Sequence, residues 1–252
     1  MNKIIATASL ALSLMALSFS AQATIIFDGN NGGIAKSGTV ETATGAHTGN
    51  PDVWGPVLSF SDFDVWGGYS VGDNLNKGVF NRDNIRRAMV DQDLSPAHGG
   101  LGVCSEDQNC AGSSDSFSSN VNGYQSDEIL FFDFDNLVSL ETVWFNGDHR
   151  ETVDSDGGLW NQTSEQLFNI YYSVDGNSYS NVFANQLLPT DLDFLSLDAG
   201  SYRYWAVAAS GWGKHDGYVE AIQYTTVPEP SVWALMGLGL LGLGFARRKR
   251  SV

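Results

Sequence analysis

Between residues 128 and 225 the chain alternates apolar and polar side chains in short runs separated by Gly, Asn, Asp and Ser, and no helical period is sustained. The alternation predicts strands over residues 128–134, 141–145, 166–174, 180–184, 193–197, 202–209 and 218–225. In the third of these, Phe168, Ile170, Tyr172 and Val174 fall on one face, which names the core side. The stretch Val174-Asp175-Gly176-Asn177 then reads as a hairpin turn, because Gly and Asn accept positive φ at little cost. Before residue 127 the pattern is weaker. Residues 30–49, rich in Gly, Thr and Ala, read as loop, and residues 85–90 read as a single helical turn. Neither a repeat nor a linker divides the body, so residues 24–227 are expected to form one all-β domain, an antiparallel β-sandwich.

Both ends depart from this pattern. Residues 1–23 carry Lys3, an apolar run from Ile4 to Phe19 and the small-x-small triplet Ala21-Gln22-Ala23, the form of a signal peptide cut after Ala23. The run is short for a membrane span, which favours cleavage over an uncleaved anchor and sets the mature start at Thr24. At the other end, Ser231 to Ala246 carries no charge and is followed by Arg247, Arg248, Lys249 and Arg250. Its length is marginal for a span of about 20 residues, and the cations favour the cytoplasmic side. Pro228 and Pro230 keep the strip outside the membrane extended, a shape that suits a protease.

Pro228-Glu229-Pro230, the Gly/Leu apolar segment and the terminal cation cluster, in that order, resemble the PEP-CTERM sorting signal of Gram-negative bacteria. The resemblance covers residues 228–252. It implies a C-terminal hydrophobic sorting helix that holds the exported chain transiently at the inner membrane. It also implies an exosortase, an integral-membrane cysteine protease or transpeptidase, that removes the tail and passes the protein to the cell surface or extracellular matrix. Such a tail is an address and leaves the activity of the body open.

Charge narrows the partners. Of 13 Lys and Arg, setting aside Lys3 and the four terminal cations leaves 8; of 29 Asp and Glu, setting aside Glu229 leaves 28, a balance of −20 for the body. Nucleic acid is excluded as a partner, since phosphate backbones need the opposite sign. The carboxylates serve solubility, and they are the hard oxygen donors that suit Ca2+, the one cofactor this composition points to. The only two cysteines, Cys104 and Cys110, are separated by five residues; in an exported chain this spacing reads as a small-loop disulfide, because a metal site would want more ligands than two.

A second resemblance lies in the strand series. Residues 128–145, EILFFDFDNLVSLETVWF, are similar to the opening strand pair of discoidin-like or galactose-binding-like modules. The run from Tyr171 to Tyr179 resembles their S-x-D-G-x-x-[WY] hairpin, and Tyr202-Arg203-Tyr204-Trp205 resembles their R-Y-x-R strand without its second arginine. The resemblance implies an eight-stranded jelly-roll sandwich that often binds sugars and often holds a structural Ca2+. In those modules the Ca2+ loops border the strands that begin at Asp127 and Glu128 and that contain Glu220, which makes these three the candidate ligands.

If consecutive strands alternate direction, 141–145 and 202–209 run the same way, and the loops that follow them leave the sandwich at one end. The first loop, 146–165, holds His149, Arg150 and Trp160; the second, 210–217, holds Trp212 and Asp216. A sugar site needs a flat aromatic face for the ring's C–H surface and charged or amide groups for its hydroxyls, so Trp160 or Trp212 is the candidate platform and His149, Arg150 and Asp216 the polar contacts. The alternative is that both tryptophans plug the end of the core.

Enzyme signatures are weak. Gly68-Tyr69-Ser70-Val71-Gly72 has the G-x-S-x-G form but lacks a helix-like continuation, no H-E-x-x-H occurs, and the four histidines are scattered. Asp154, Asp156 and Glu165 have EF-hand spacing, yet Gly158 and Leu159 stand where ligand and turn glycine belong. A carboxylate pair for glycoside cleavage is defined only by separation in space. The expectation is therefore an exported, non-catalytic polysaccharide-binding surface or matrix component, with a Ca2+-stabilised structural protein and a polysaccharide hydrolase or lyase as alternatives.

Overall fold

The computed structural model describes residues 20–27, 37–48, 53–70, 78–94, 99–104, 117–118, 128–145, 167–187, 194–209 and 216–227. Within them the chain is β throughout: β1 (Gln22–Ile26), β2 (Thr39–Val40), β3 (His47–Thr48), β4 (Val53–Gly55), β5 (Leu58–Ser59), β6 (Phe63–Tyr69), β7 (Val79–Asn81), β8 (Arg86–Asp93) and β9 (Gly100–Cys104), then β10 (Phe117–Ser118), β11 (Glu128–Phe145), β12 (Leu167–Ser173), β13 (Ser178–Leu187), β14 (Phe194–Ser196), β15 (Tyr202–Ala209), β16 (Asp216–Gly217) and β17 (Val219–Thr226). Among the described residues the one helical element is a 3-10 turn, Arg82–Asn84, capped by the Asn81 side chain. No helix among them is long and apolar enough to cross a membrane, and the tail, residues 228–252, lies outside them.

The expected all-β class stands, with corrections. Residues 85–90 are not a helical turn but lead into β8. Ile85, Ala88 and Met89 imitate a helical stripe at i, i+3 and i+4, yet Ile85 packs in one apolar cluster while Ala88 and Val90 pack in another on the opposite face of the sheet. The stretch expected as loop, residues 30–49, contributes β2 and β3. The eight strands implied by the galactose-binding-like resemblance are exceeded, since among the described residues fifteen strands join one sheet and β10 and β16 form a second.

The strands expected at 128–134 and 141–145 are one strand, β11, which bends at Asp135, Asn136 and Leu137, three consecutive exposed residues. Its first half pairs with β6 and β15, and its second half pairs with β17 and β14. The bend folds the second half back over the first. Phe134 meets the Tyr224 ring at 4.9 Å, and at the far end Phe145 stacks on Phe168 at 4.0 Å. Because β8 also bridges β6 and β9, and β9 joins β17 at Leu101–Val219, the pairings close on themselves around the fold. Among the described residues, closure leaves β6, β8, β9, β11 and β17 each paired on both sides. β6 and β8 can approach because Gly67 has no side chain: a Cβ there would lie 2.8 Å from the Met89 carbonyl oxygen.

Burial follows the alternation on both sides of β11. Leu130, Phe132 and Phe134 join Phe63, Val65, Trp205, Val207 and Ile222 in the inner core. Ile129 and Phe131 point the other way, into a second cluster with Trp66, Phe80, Tyr171 and Tyr179. Because both faces of β11 are covered, its run EILFF is nearly continuous in apolar residues.

Candidate functional site

The structure brings together the roots of the two segments expected as chemically dense loops. β11 ends at Phe145, which stacks on Phe168 at 4.0 Å; Phe168 in turn is the register partner of Ala209, the last residue of β15. The segments that leave Phe145 and Ala209, and the one that enters at Leu167, therefore share one end of the fold. His149, Arg150, Trp160 and Trp212 lie outside the described residues. Asp216 opens β16, where it pairs with Ser118 of β10.

Of the three candidate metal ligands, Asp127 lies outside the described residues, while Glu128 and Glu220 are buried, at 3 % and 4 % exposure. Glu128 begins β11 on the face of Leu130 and Phe132, the inner side, whereas Glu220 sits at a register irregularity of β17, between Val219 opposite Phe145 and Ala221 opposite Trp144. Among the described residues no three His, Cys, Asp or Glu form a metal-holding group. Cys104 closes β9 without a free thiol, and Cys110 lies outside the described residues. Ser70 of the G-x-S-x-G string is wholly buried.

Sequence reasoning missed a second polar and aromatic assembly, on the outer face of β6, β11, β15 and β12. Trp66 and Phe131 stack at 3.8 Å, Phe80 and Tyr179 at 5.0 Å, and the Arg82 guanidinium lies 3.7 Å from the Trp66 ring centre. Arg82 also donates through Nη1 to the Gly176 carbonyl at 3.3 Å, which ties the 3-10 turn to the β12–β13 hairpin. Asp133 lies beside it. Burial raises its carboxyl above the ordinary range, while Arg203 and Arg82 pull it back down. Arg203 is fixed by donating through Nε to the Phe134 carbonyl at 2.7 Å. The signal for this cluster was spread over residues 66, 82, 131, 133, 179 and 203, which only the fold brings together.

The third feature is the exit of the chain. β17 runs antiparallel to β1, so the start of β1 and the end of β17 lie side by side. Ala21 precedes β1 and Ala23 lies within it, opposite Tyr224. The Val227 N–H donates to the Leu137 carbonyl at 2.9 Å, leaving the chain anchored one residue before Pro228. Residues 226–250 match the PEP-CTERM protein-sorting motif. The match takes in Pro228, Glu229, Pro230 and the cluster Arg247, Arg248, Lys249 and Arg250, and these side chains lie outside the described residues. The PEP-CTERM motif identifies the chain as an exported surface protein that is anchored transiently in the membrane and processed by an exosortase. It covers the tail alone and does not confirm the resemblance of the body to discoidin-like modules. A comparison with curated protein sequences finds no match.

Proposed function

We propose that the folded body is a non-catalytic polysaccharide-binding component of the cell surface or extracellular matrix, delivered there by its sorting tail. The observation that carries this reading is the convergence of the loop roots. Phe145 on Phe168, and Phe168 beside Ala209, start loops 146–165 and 210–217 from one end of the fold. Those segments hold Trp160, Trp212, His149 and Arg150, and the second ends in Asp216 of β16, together the aromatic planes and hydroxyl partners that a sugar requires. Ca2+ bound near Asp127, Glu128 and Glu220 would brace the same end, and the Cys104–Cys110 bridge would close a small loop beyond β9.

Retention of the purified body on acidic and neutral polysaccharides tests the reading. Trp160→Ala or Trp212→Ala should cost about tenfold in affinity, which corresponds to roughly 1.4 kcal/mol. Unchanged retention in the double variant moves the assignment to a structural surface protein. A fall in polymer viscosity with time moves it to a hydrolase or lyase. A higher melting temperature in Ca2+ than in chelator supports the metal, and identical curves remove it.

A further inference from the structure

The signal-peptide cleavage triplet is part of the sheet. β1 begins at Gln22, so a cut after Ala23 falls inside the strand and not ahead of it. In the uncut chain Gln22 faces Thr225 and Ala23 faces Tyr224 across the β1–β17 ladder, and the Thr226 N–H donates to the Ala21 carbonyl at 3.0 Å. The Glu141 carboxylate clamps the pair from the outside, accepting from Gln22 Nε2 at 2.6 Å and from Thr225 Oγ1. On its other side β17 is held by β11, with Val138, Ser139 and Leu140 opposite Thr226, Thr225 and Tyr224. The end of β17 is thus an inner strand up to the residue before Pro228.

We propose that removal of the leader is the step that makes the sorting strip available, so that the tail-cleaving reaction takes the product of leader cleavage as its substrate. Cutting after Ala23 removes residues 21–23 and, with them, one of the two ladders on Tyr224, Thr225 and Thr226. A strand end paired on both sides opens only by losing two rows of hydrogen bonds, whereas an edge opens by losing one, and local opening is set by that difference. A protease that binds extended backbone needs the residues flanking its site free of other pairing. With no linker between Val227 and Pro228, those residues are the end of β17. Glu141 keeps Thr225 but loses Gln22, which loosens the same point from the side-chain layer. The order keeps the domain held at the membrane by both ends until export is complete. The inference rests on the sorting assignment and on the expected leader cut, and it is independent of sugar binding, whose retention assay has its own readout.

The test uses the full chain expressed with an exosortase, with both termini read by mass spectrometry. Ala21 is exposed, and it pairs through its backbone and the Thr226 hydroxyl, so Ala21→Glu spoils the small-x-small site while leaving the sheet intact. In the leader-retaining fraction of Ala21→Glu, tail removal should fall at least about tenfold relative to chains cut at residue 23. Adding Ala23→Pro, which removes a ladder N–H opposite Tyr224, should restore it even though the leader is still attached. Normal tail removal in leader-retaining Ala21→Glu overturns the proposal. Equal retention of the tail in the single and double variants overturns it as well, assigning the block to the remaining membrane anchor.

Discussion

Two side chains each tie three groups in this molecule, and they do it in opposite ways. The Gln92 amide, fully buried in β8, accepts from the Ala43 N–H at 2.7 Å and donates to the Phe27 carbonyl at 2.9 Å and the Glu41 carbonyl at 2.7 Å. Its partners are 49 to 65 positions away. Exposed Asp175, at the tip of the β12–β13 hairpin, accepts through Oδ1 from the Asn177 and Ser178 N–H groups at 2.8 Å and from Ser173 Oγ at 2.9 Å, all within three positions. The first clamp fastens irregular backbone of the N-terminal half to the core. The second folds a turn whose chemistry is complete within one short peptide. Local clamps specify shape with modest energy, because water would satisfy the same groups in the open turn; buried clamps carry more, because no water replaces them.

The largest test of that contrast is Gln92→Leu. It leaves one N–H and two carbonyls of the 27–43 region without partners in the interior, and the expected cost is about 3 kcal/mol, measured by denaturant unfolding. A loss under about 1 kcal/mol would mean that these groups reach water and that the clamp is no more than a local one.

Next comes Gly176→Ala. Gly176 has φ of 74°, and a Cβ would lie 3.1 Å from the Tyr204 ring, so strain and crowding add. The expected loss is about 1–2 kcal/mol, and a neutral result would show that the hairpin tip can shift away from β15.

Asp175→Ala should have a smaller effect, on the order of 2 °C in melting temperature, because the freed N–H groups turn to solvent. A loss as large as that of Gln92→Leu would erase the distinction between the two clamps.

The smallest test is by acid. The hydrogen bonds from Ser178, Asn177 and Ser173 lower the Asp175 carboxyl from 3.8 to about 2. A carboxylate whose pKa is lower in the folded state contributes stability that is fully present above the unfolded value and is lost as pH falls through the folded one. The difference in stability between the native chain and Asp175→Asn should therefore shrink between pH 4 and pH 2, while that for Gln92→Leu, which has no titrating group at the site, should persist. Parallel shrinkage of both differences would assign the acid effect to global charge and not to Asp175.

Legibility in the sequence follows the same division. The strand at 202–209 and the hairpin at 174–177 were readable because period-two alternation and Asp-Gly turn chemistry act over a few residues. Residues 85–90 were misread because the two faces of β8 meet two different apolar clusters, which merges their pattern into an apparent helical stripe. The bend of β11 was visible only as polar Asp135 and Asn136. That it returns the strand over itself depends on Phe145 meeting Phe168, 23 positions away by numbering. Trp66, Arg82 and Asp133 could not be grouped beforehand, since nothing in their spacing relates β6, the 3-10 turn and β11.

By itself the sequence determined the sorting route and the class: a sorting tail is read as a linear strip by a protease, and alternation with frequent turn residues commits a chain to strands. Which strands become neighbours, and that β1 and β17 join the two termini side by side, was decided only in the tertiary structure. The reason is physical: backbone pairing is chemically the same between any two strands, so partner choice rests on how side chains from distant segments fill a common interior.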